Sequence, residues 1–118
     1  MVLTLALSYG GRQEIFDAFR KMSKRIESGE VKAEEITEQL ISDSLYTAGM
    51  PDPDLLIRTS GEYRVSNFLL WQIAYSEIYT TRSLWPDFRK RDYLIAIEKY
   101  QKRERRFGAI RSQRAEKE

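Results

Sequence analysis

Three consecutive apolar residues run into a polar loop with a glycine in the segment Asp54-Leu55-Leu56-Ile57-Arg58-Thr59-Ser60-Gly61. An uninterrupted apolar run of this length predicts a β-strand that is covered on both faces, as the strands of parallel sheets are. Pro51 and Pro53 precede the run and exclude a helix that would continue into it. We therefore predict a buried strand over residues 54–59, with a loop at its carboxyl end.

Two further strands are predicted on either side of this one. Near the amino terminus, Leu3, Leu5 and Leu7 alternate with small uncharged residues, which again predicts a strand buried on both faces. The β-prone residues 78–81 predict a short third strand. Helical spacing of apolar residues predicts four helices, over residues 12–28, 33–44, 68–74 and 90–106, the third of them capped by Ser66 or Asn67.

The order of these elements predicts the fold class. Strands alternate with helices along the chain, which is typical of α/β proteins with right-handed crossovers. We predict a mostly parallel sheet with flanking helices. Strands with two apolar faces also call for more cover than two or three strands and four helices provide, so we expect this chain to associate with further copies rather than remain a monomer.

Composition excludes several kinds of chemistry. The 118 residues contain no Cys and no His, so thiolate nucleophiles, zinc sites that need Cys or His, and His general bases are absent. The net charge of +2 is too small to indicate a nucleic-acid partner, although basic residues gather between Arg103 and Arg114. The apolar amino terminus is too short for a membrane span. We expect a cytoplasmic protein.

Three arginines are predicted to meet at one edge of the sheet. Arg12, Arg58 and Arg64 follow the carboxyl ends of predicted parallel strands, the place where such sheets bind ligands. Glycine amides beside them, and a helix start at Ser66, would favour an anion. Arginine suits phosphate because it donates two parallel hydrogen bonds. The alternative is that these arginines are solvated or paired with Glu62, Asp52 or Asp54.

Glu77 lies in an otherwise apolar run, where a lone carboxylate is costly unless it has a partner. One interpretation is a structural ion pair with an arginine. The other is a Mg²⁺ ligand, because Mg²⁺ binds one or two carboxylates together with substrate phosphate oxygens. The residues alone favour neither.

Several blocks of the chain resemble the cis-prenyltransferase family, which includes the undecaprenyl diphosphate synthases (isoprenyl transferases). The resemblance covers residues up to about Gly108. Its central blocks are residues 54–62, residues 64–72 and Glu77. Further blocks in the expected order are Tyr9-Gly10-Gly11-Arg12, Leu84-Trp85-Pro86-Asp87-Phe88 and Arg103-Glu104-Arg105-Arg106-Phe107-Gly108.

The resemblance implies an activity and a set of site residues. Such enzymes add isopentenyl diphosphate repeatedly to an allylic prenyl diphosphate with new cis double bonds, and they work as homodimers. By resemblance, the diphosphate of isopentenyl diphosphate is bound by Arg58, Arg64 and Ser66. Glu62 and Arg12 support this site, and Glu77 helps to hold Mg²⁺ in an arrangement shared across the dimer. The enzyme would deliver its product to the membrane, so it would work in the cytoplasm with access to the membrane surface.

One block of the family pattern is absent from the sequence. The family carries an Asp-Gly-Asn-Gly-Arg block near its amino terminus, which binds the allylic diphosphate and its metal, and no such block occurs here. We therefore expect residues 1–108 to be the carboxyl-terminal part of a cis-prenyltransferase domain, with 109–118 as a polar, flexible tail. We expect no catalytic residue in this part and no activity of the chain alone. The alternative is a non-catalytic accessory subunit or diphosphate-binding module.

Overall fold

The computed structural model describes residues 2–103. Two strands, β1 (Leu55–Arg58) and β2 (Glu77–Thr80), form a parallel pair in which Leu55 lies opposite Glu77 and Arg58 opposite Thr80. The helices of this part of the chain are α1 (Gly11–Glu27), α2 (Glu38–Ser42) and α3 (Lys90–Gln101), with single 3₁₀ turns at Ala33–Glu35 and Trp85–Asp87. The predicted α/β class with a parallel sheet is confirmed.

Helix α1 forms where the sequence predicts it. Ala18 and Met22 are buried on its inner face. The helix ends before Gly29, which has a φ of 74°. This angle is incompatible with a right-handed helix, and glycine adopts it more readily than other residues. The other apolar residues of the stripe are less covered than predicted, since Phe16 and Phe19 remain exposed.

The predicted helix over 33–44 is interrupted. Ile36 and Thr37 have extended backbones, which separate the 3₁₀ turn from α2. Thr37 Oγ1 then accepts a hydrogen bond from the Leu40 amide at 3.2 Å and caps α2. The preference of threonine for the cap position, rather than the helix interior, explains the break.

The predicted helix over 68–74 is wrong. Ser66, Asn67 and Leu69 have φ values of 50°, 61° and 46°, in the left-handed region. A residue in that region cannot take part in a right-handed helix. The chain from 66 to 75 therefore makes successive turns.

The predicted amino-terminal strand is also wrong within the described residues. Residues 2–7 are extended but join no sheet, and Leu3 and Leu7 are 79% and 82% exposed. A strand is stabilised by backbone hydrogen bonds to a neighbour and by cover on its faces, and among the described residues the sheet consists of β1 and β2, without residues 2–7. The residues of β1 are themselves only partly buried, so the predicted burial on both faces is incomplete.

The core of residues 2–103 is small. Five apolar residues are buried there: Ala18, Met22, Val31, Leu45 and Ala96. Ala96 belongs to α3, which packs against β2 and begins with the Arg89 amide donating to Asp92 Oδ2 at 2.9 Å. Helix α3 ends at Gln101, so the predicted helix over 90–106 does not continue through Lys102 and Arg103. The predictions for Glu104-Arg105-Arg106 and for the tail over 109–118 lie outside the described residues.

Candidate diphosphate site

The loops after β1 and β2 are joined at the carboxyl edge of the sheet. The Gly61 amide donates to the Thr81 carbonyl at 2.8 Å, and the Ser60 amide donates to the Ser83 carbonyl at 2.9 Å. Ser60 and Gly61 both have positive φ, which makes the turn tight. Because the Gly61 amide already has an acceptor, the expectation that this glycine amide faces an anion is wrong.

Arg58 ends β1 at this edge and is oriented by Ser66. Its Nη2 donates to Ser66 Oγ at 3.2 Å. Its Nε is buried and has no hydrogen-bond acceptor among residues 2–103. A buried N–H group without an acceptor costs about 1–3 kcal/mol, and an oxygen that reached this N–H would offset that cost.

Arg64 lies on the same loop but is much more exposed. Its Nε is 3.1 Å from Glu62 Oε2, and its side chain is 74% exposed. Pairing with Glu62, one of the alternatives for these arginines, is therefore observed for Arg64. An exposed pair of this kind contributes about 0–1 kcal/mol, so Arg64 can exchange the carboxylate for a more highly charged anion at little cost.

The start of α1 reaches the same loop. The Gly11 amide donates to the Asn67 carbonyl at 2.7 Å, and the Arg12 amide donates to Asn67 Oδ1 at 2.9 Å. Arg12 itself is exposed. The backbone at Arg12 thus contacts the loop that carries Ser66, while the predicted meeting of the Arg12 side chain with Arg58 and Arg64 stays a prediction. The helix that begins at this edge is α1, however, and not one that starts at Ser66.

Glu77 lies away from these arginines. It begins β2 opposite Leu55, three positions before the end of the strand, which places it about 10 Å along the strand from the level of Arg58. Arg103 Nη1 is 2.6 Å from Glu77 Oε2, so the structural ion pair is present. Within residues 2–103 no three acidic side chains are grouped so that they could hold a metal.

A buried glutamate, Glu14, was missed by the sequence analysis. It is 1% exposed and accepts hydrogen bonds from the Tyr46 amide at 2.8 Å and from Gln72 Nε2 at 3.2 Å. The Tyr9 hydroxyl also donates to it. Glu14 precedes the buried Ala18 and Met22 by four and eight positions, so an acid on the inner stripe of α1 was the signal that could have revealed it.

This cluster ties the chain before α1 to the turns that follow Ser66. Gln72 also donates to Thr47 Oγ1 at 2.9 Å. Burial raises the pKa of the Tyr9 hydroxyl, and the hydrogen bond to Glu14 and its negative charge raise it further. Tyr9 therefore remains a donor at neutral pH.

Two apolar cavities flank the cluster. One of about 410 Å³ lies between residues 4–9 and the turns after Ser66, and Phe68, Leu69 and Gln72 line it. The other, of about 270 Å³, lies between α1 and α2, where Phe19 and Trp71 are among its walls. Apolar space thus adjoins the turn that carries Ser66. None of the helices within residues 2–103 combines the length and apolar character that a membrane crossing requires.

Comparison with known proteins shows consistent similarities. The sequence profile of the family described as "Putative undecaprenyl diphosphate synthase" matches residues 1–108. The chain is 57% identical over 110 residues to an isoprenyl transferase of Thermotoga maritima, and 51% identical over 118 residues to one of Porphyromonas gingivalis. These matches cover 93% and 100% of this chain, but 46% of each relative.

A solved structure agrees with the sequence comparisons. The fold is similar to that of lavandulyl diphosphate synthase from Lavandula x intermedia in complex with dimethylallyl diphosphate, with a TM-score of 0.86 and 44% identity. The similarity covers 89% of this chain and 45% of that one. This chain therefore spans about half the length of the relatives that it matches.

Proposed function

Because this chain belongs to the undecaprenyl diphosphate synthase family of prenyltransferases, we propose that it binds the diphosphate of isopentenyl diphosphate for addition to an allylic prenyl diphosphate. The observation that carries the proposal is the Arg58–Ser66 pair at the carboxyl edge of the sheet. The buried Arg58 Nε, which has no acceptor within the described residues, supports the proposal.

The chemistry of the two arginines suits a diphosphate. A phosphate oxygen beside Arg58 Nε would satisfy that buried donor, while Nη2 remains bonded to Ser66. Arg64 would add a second guanidinium by releasing Glu62. Guanidinium groups donate paired hydrogen bonds to phosphate, which makes them stronger ligands here than point charges. The apolar cavity beside Phe68 and Leu69 offers space next to the anion.

The allylic substrate would be bound elsewhere. The Asp-Gly-Asn-Gly-Arg block that the resemblance assigns to it does not occur in this sequence. We propose that the 118-residue chain binds isopentenyl diphosphate but carries out no elongation by itself. Elongation would need a further chain of the same family that supplies the allylic site. In that arrangement the present chain would act as an accessory subunit. Elongation by the purified chain alone would contradict this part of the proposal.

Mg²⁺ is proposed to use Glu77, together with oxygens from outside the chain. One carboxylate suits Mg²⁺ only when phosphate, water or another chain supplies the remaining oxygens. Glu77 lies about 10 Å along β2 from the level of Arg58, so it does not fit a metal at the Arg58 site of the same chain. We propose that it serves the site of a second copy, as the resemblance implies for a homodimer. Such a dimer would act in the cytoplasm with access to the membrane surface.

Titration calorimetry with isopentenyl diphosphate tests the proposal. The chain should bind it weakly, with an affinity that falls as salt screens the arginines. The double variant Arg58→Ala/Arg64→Ala should lose at least tenfold in affinity. Arg25→Ala is the matched control, since Arg25 pairs with Glu30 at the opposite end of α1, about 20 Å from its start. Equal affinities of the double variant and the unaltered chain would overturn the assignment.

A further inference from the structure

Helix α1 is capped by Asn67, which lies 55 positions beyond Arg12 in sequence. Its N-cap residue, Gly10, has no side chain with which to accept a hydrogen bond. Asn67 supplies two acceptors instead, its carbonyl for the Gly11 amide and its Oδ1 for the Arg12 amide. The start of a helix leaves several backbone amides without acceptors. Two of these amides in α1 find their acceptors in the loop of the anion site.

The loop lies close to both glycines, and most closely to Gly11, where a side chain would meet backbone atoms. A Cβ atom at Gly10 would lie 3.0 Å from Asn67 Nδ2. At Gly11 it would lie 2.9 Å from Leu70 Cγ and 3.1 Å from the Asn67 carbonyl oxygen. Because Gly10 and Gly11 lack side chains, the loop can lie directly against the start of α1.

The same loop has a strained backbone. Ser66 and Leu69 have φ values of 50° and 46°, in a region that is unfavourable for a residue other than glycine. Asn67, with a φ of 61°, tolerates the region better. Such a conformation persists only where the surrounding contacts fix it, and the two bonds from α1 to Asn67 are contacts of that kind.

We propose that Asn67 is a positioning residue of the anion site. Ser66 directly precedes Asn67 in the same turn. The bonds of Asn67 to α1 hold this turn in place and so keep Ser66 Oγ within hydrogen-bond distance of Arg58 Nη2. The inference rests on the proposed diphosphate-binding function. It assigns the amides of Gly11 and Arg12 to Asn67, so a bound anion would be held by side chains and not by the start of α1.

A pair of matched variants separates positioning from ordinary helix capping. Asn67→Gly keeps the backbone carbonyl and suits a positive φ, so it removes only the side-chain acceptor. Thr37→Gly removes the corresponding side-chain acceptor from the start of α2. Each variant is titrated with inorganic pyrophosphate, and hydrogen exchange of the Arg12 amide is followed by NMR.

Positioning predicts different results for the two variants. Asn67→Gly should weaken pyrophosphate binding about tenfold and speed exchange of the Arg12 amide, whereas Thr37→Gly should change the affinity less than twofold. Unchanged affinity in Asn67→Gly, or an equal loss in Thr37→Gly, overturns the inference. Weaker binding with the Arg12 amide still protected also overturns it, because Asn67 would then contact the ligand directly.

The proposed function fails in a different way. If Arg58→Ala binds pyrophosphate as well as the unaltered chain does, the diphosphate site itself is wrong, and the role of Asn67 falls with it. If Arg58→Ala loses binding while Asn67→Gly keeps it, the site stands and only the positioning role is overturned.

Discussion

Arg103 Nη1 lies 2.6 Å from Glu77 Oε2, joining the residue that follows the last turn of α3 to the first residue of β2. The same guanidinium nitrogen also donates to the Ile78 carbonyl at 3.2 Å. The carboxylate of Glu77 therefore has a partner within its own chain, and any metal role must be compatible with that pair. Substitution of each partner separates the two roles.

Glu77→Ala should abolish the effect of Mg²⁺ on isopentenyl diphosphate binding, while Arg103→Ala should preserve it, because only Glu77 offers oxygen to a cation. We expect Mg²⁺ to raise the affinity of the unaltered chain about tenfold, or about 1.4 kcal/mol. Both variants lose the same partly exposed pair, so both should lose about 0.5 kcal/mol of stability. Calorimetric titration with and without Mg²⁺ measures the first effect and thermal unfolding the second. Identical Mg²⁺ responses in the two variants would show that Glu77 has only the structural role.

Removal of the Glu14 carboxylate should destabilise the chain strongly. Glu14→Ala leaves the Tyr46 amide and the Tyr9 hydroxyl without the acceptor that Glu14 provides, and Gln72 Nε2 keeps only Thr47 Oγ1. We expect a loss of about 3 kcal/mol in the free energy of unfolding, measured by urea denaturation. Glu27→Ala changes an exposed glutamate on the same helix and should stay within about 0.5 kcal/mol. A Glu14→Ala variant as stable as Glu27→Ala would show that the cluster contributes little.

Stability should fall in alkaline solution through Tyr9. Burial, the hydrogen bond to Glu14 and its charge raise the pKa of Tyr9 above its ordinary value of about 10. The folded chain therefore holds this proton more tightly than the unfolded chain. The stabilisation is complete below pH 10 and is lost as pH rises above it.

Urea denaturation between pH 8 and pH 12 checks this expectation. Tyr9→Phe should be less stable at pH 8, because it lacks the hydroxyl donor, and should show a shallower decline above pH 10. Some decline should remain, because a hydrogen bond to Asp17 also raises the pKa of Tyr46. Parallel declines in Tyr9→Phe and the unaltered chain would exclude Tyr9 as the source.

The chain should associate in solution. Leu3, Leu7 and Trp85 are exposed to 79%, 82% and 73%, and Trp85 stacks on Phe88 at the surface. Soluble monomers rarely leave so much apolar surface uncovered, and a second copy can cover it. Light scattering on the size-exclusion peak should give a dimer or larger. A single peak at the 13.9 kDa chain mass, with cooperative unfolding, would contradict this expectation.

The sequence predicts the elements whose signals are local. Strand β1 follows from the apolar run after two prolines, β2 from β-prone residues, and α1 from its apolar spacing and Gly29. The Arg12 segment meets the loop of Ser66 although residues 2–7 join no sheet, so the parallel-strand rule that predicted this meeting does not explain it. The contact of Arg58 with Ser66 follows from their short separation in the loop after β1. Strands β1 and β2, helix α1 and the Arg58–Ser66 contact can therefore be predicted without knowing which distant side chains lie nearby.

The remaining features depend on contacts between distant residues. Asn67 has the side chain of a helix cap, but the helix that it caps is α1, and no local pattern indicates which helix a cap serves. The positive φ of Leu69 is opposed by its own propensity and is therefore set by its surroundings. The Leu3–Leu7 alternation does indicate a strand, yet whether it joins a sheet depends on a neighbour that its own sequence does not specify.

The most direct test of diphosphate binding observes Arg58 Nε–H itself. In the described part of the chain this group is buried without an acceptor, and its ¹H–¹⁵N NMR signal can be assigned by its loss in Arg58→Lys. Addition of isopentenyl diphosphate should shift this proton downfield as a phosphate oxygen accepts from it, and the Arg25 Nε–H signal should not move. If the Arg58 signal stays in place at saturating ligand while the chain remains folded, the site is not where we propose it.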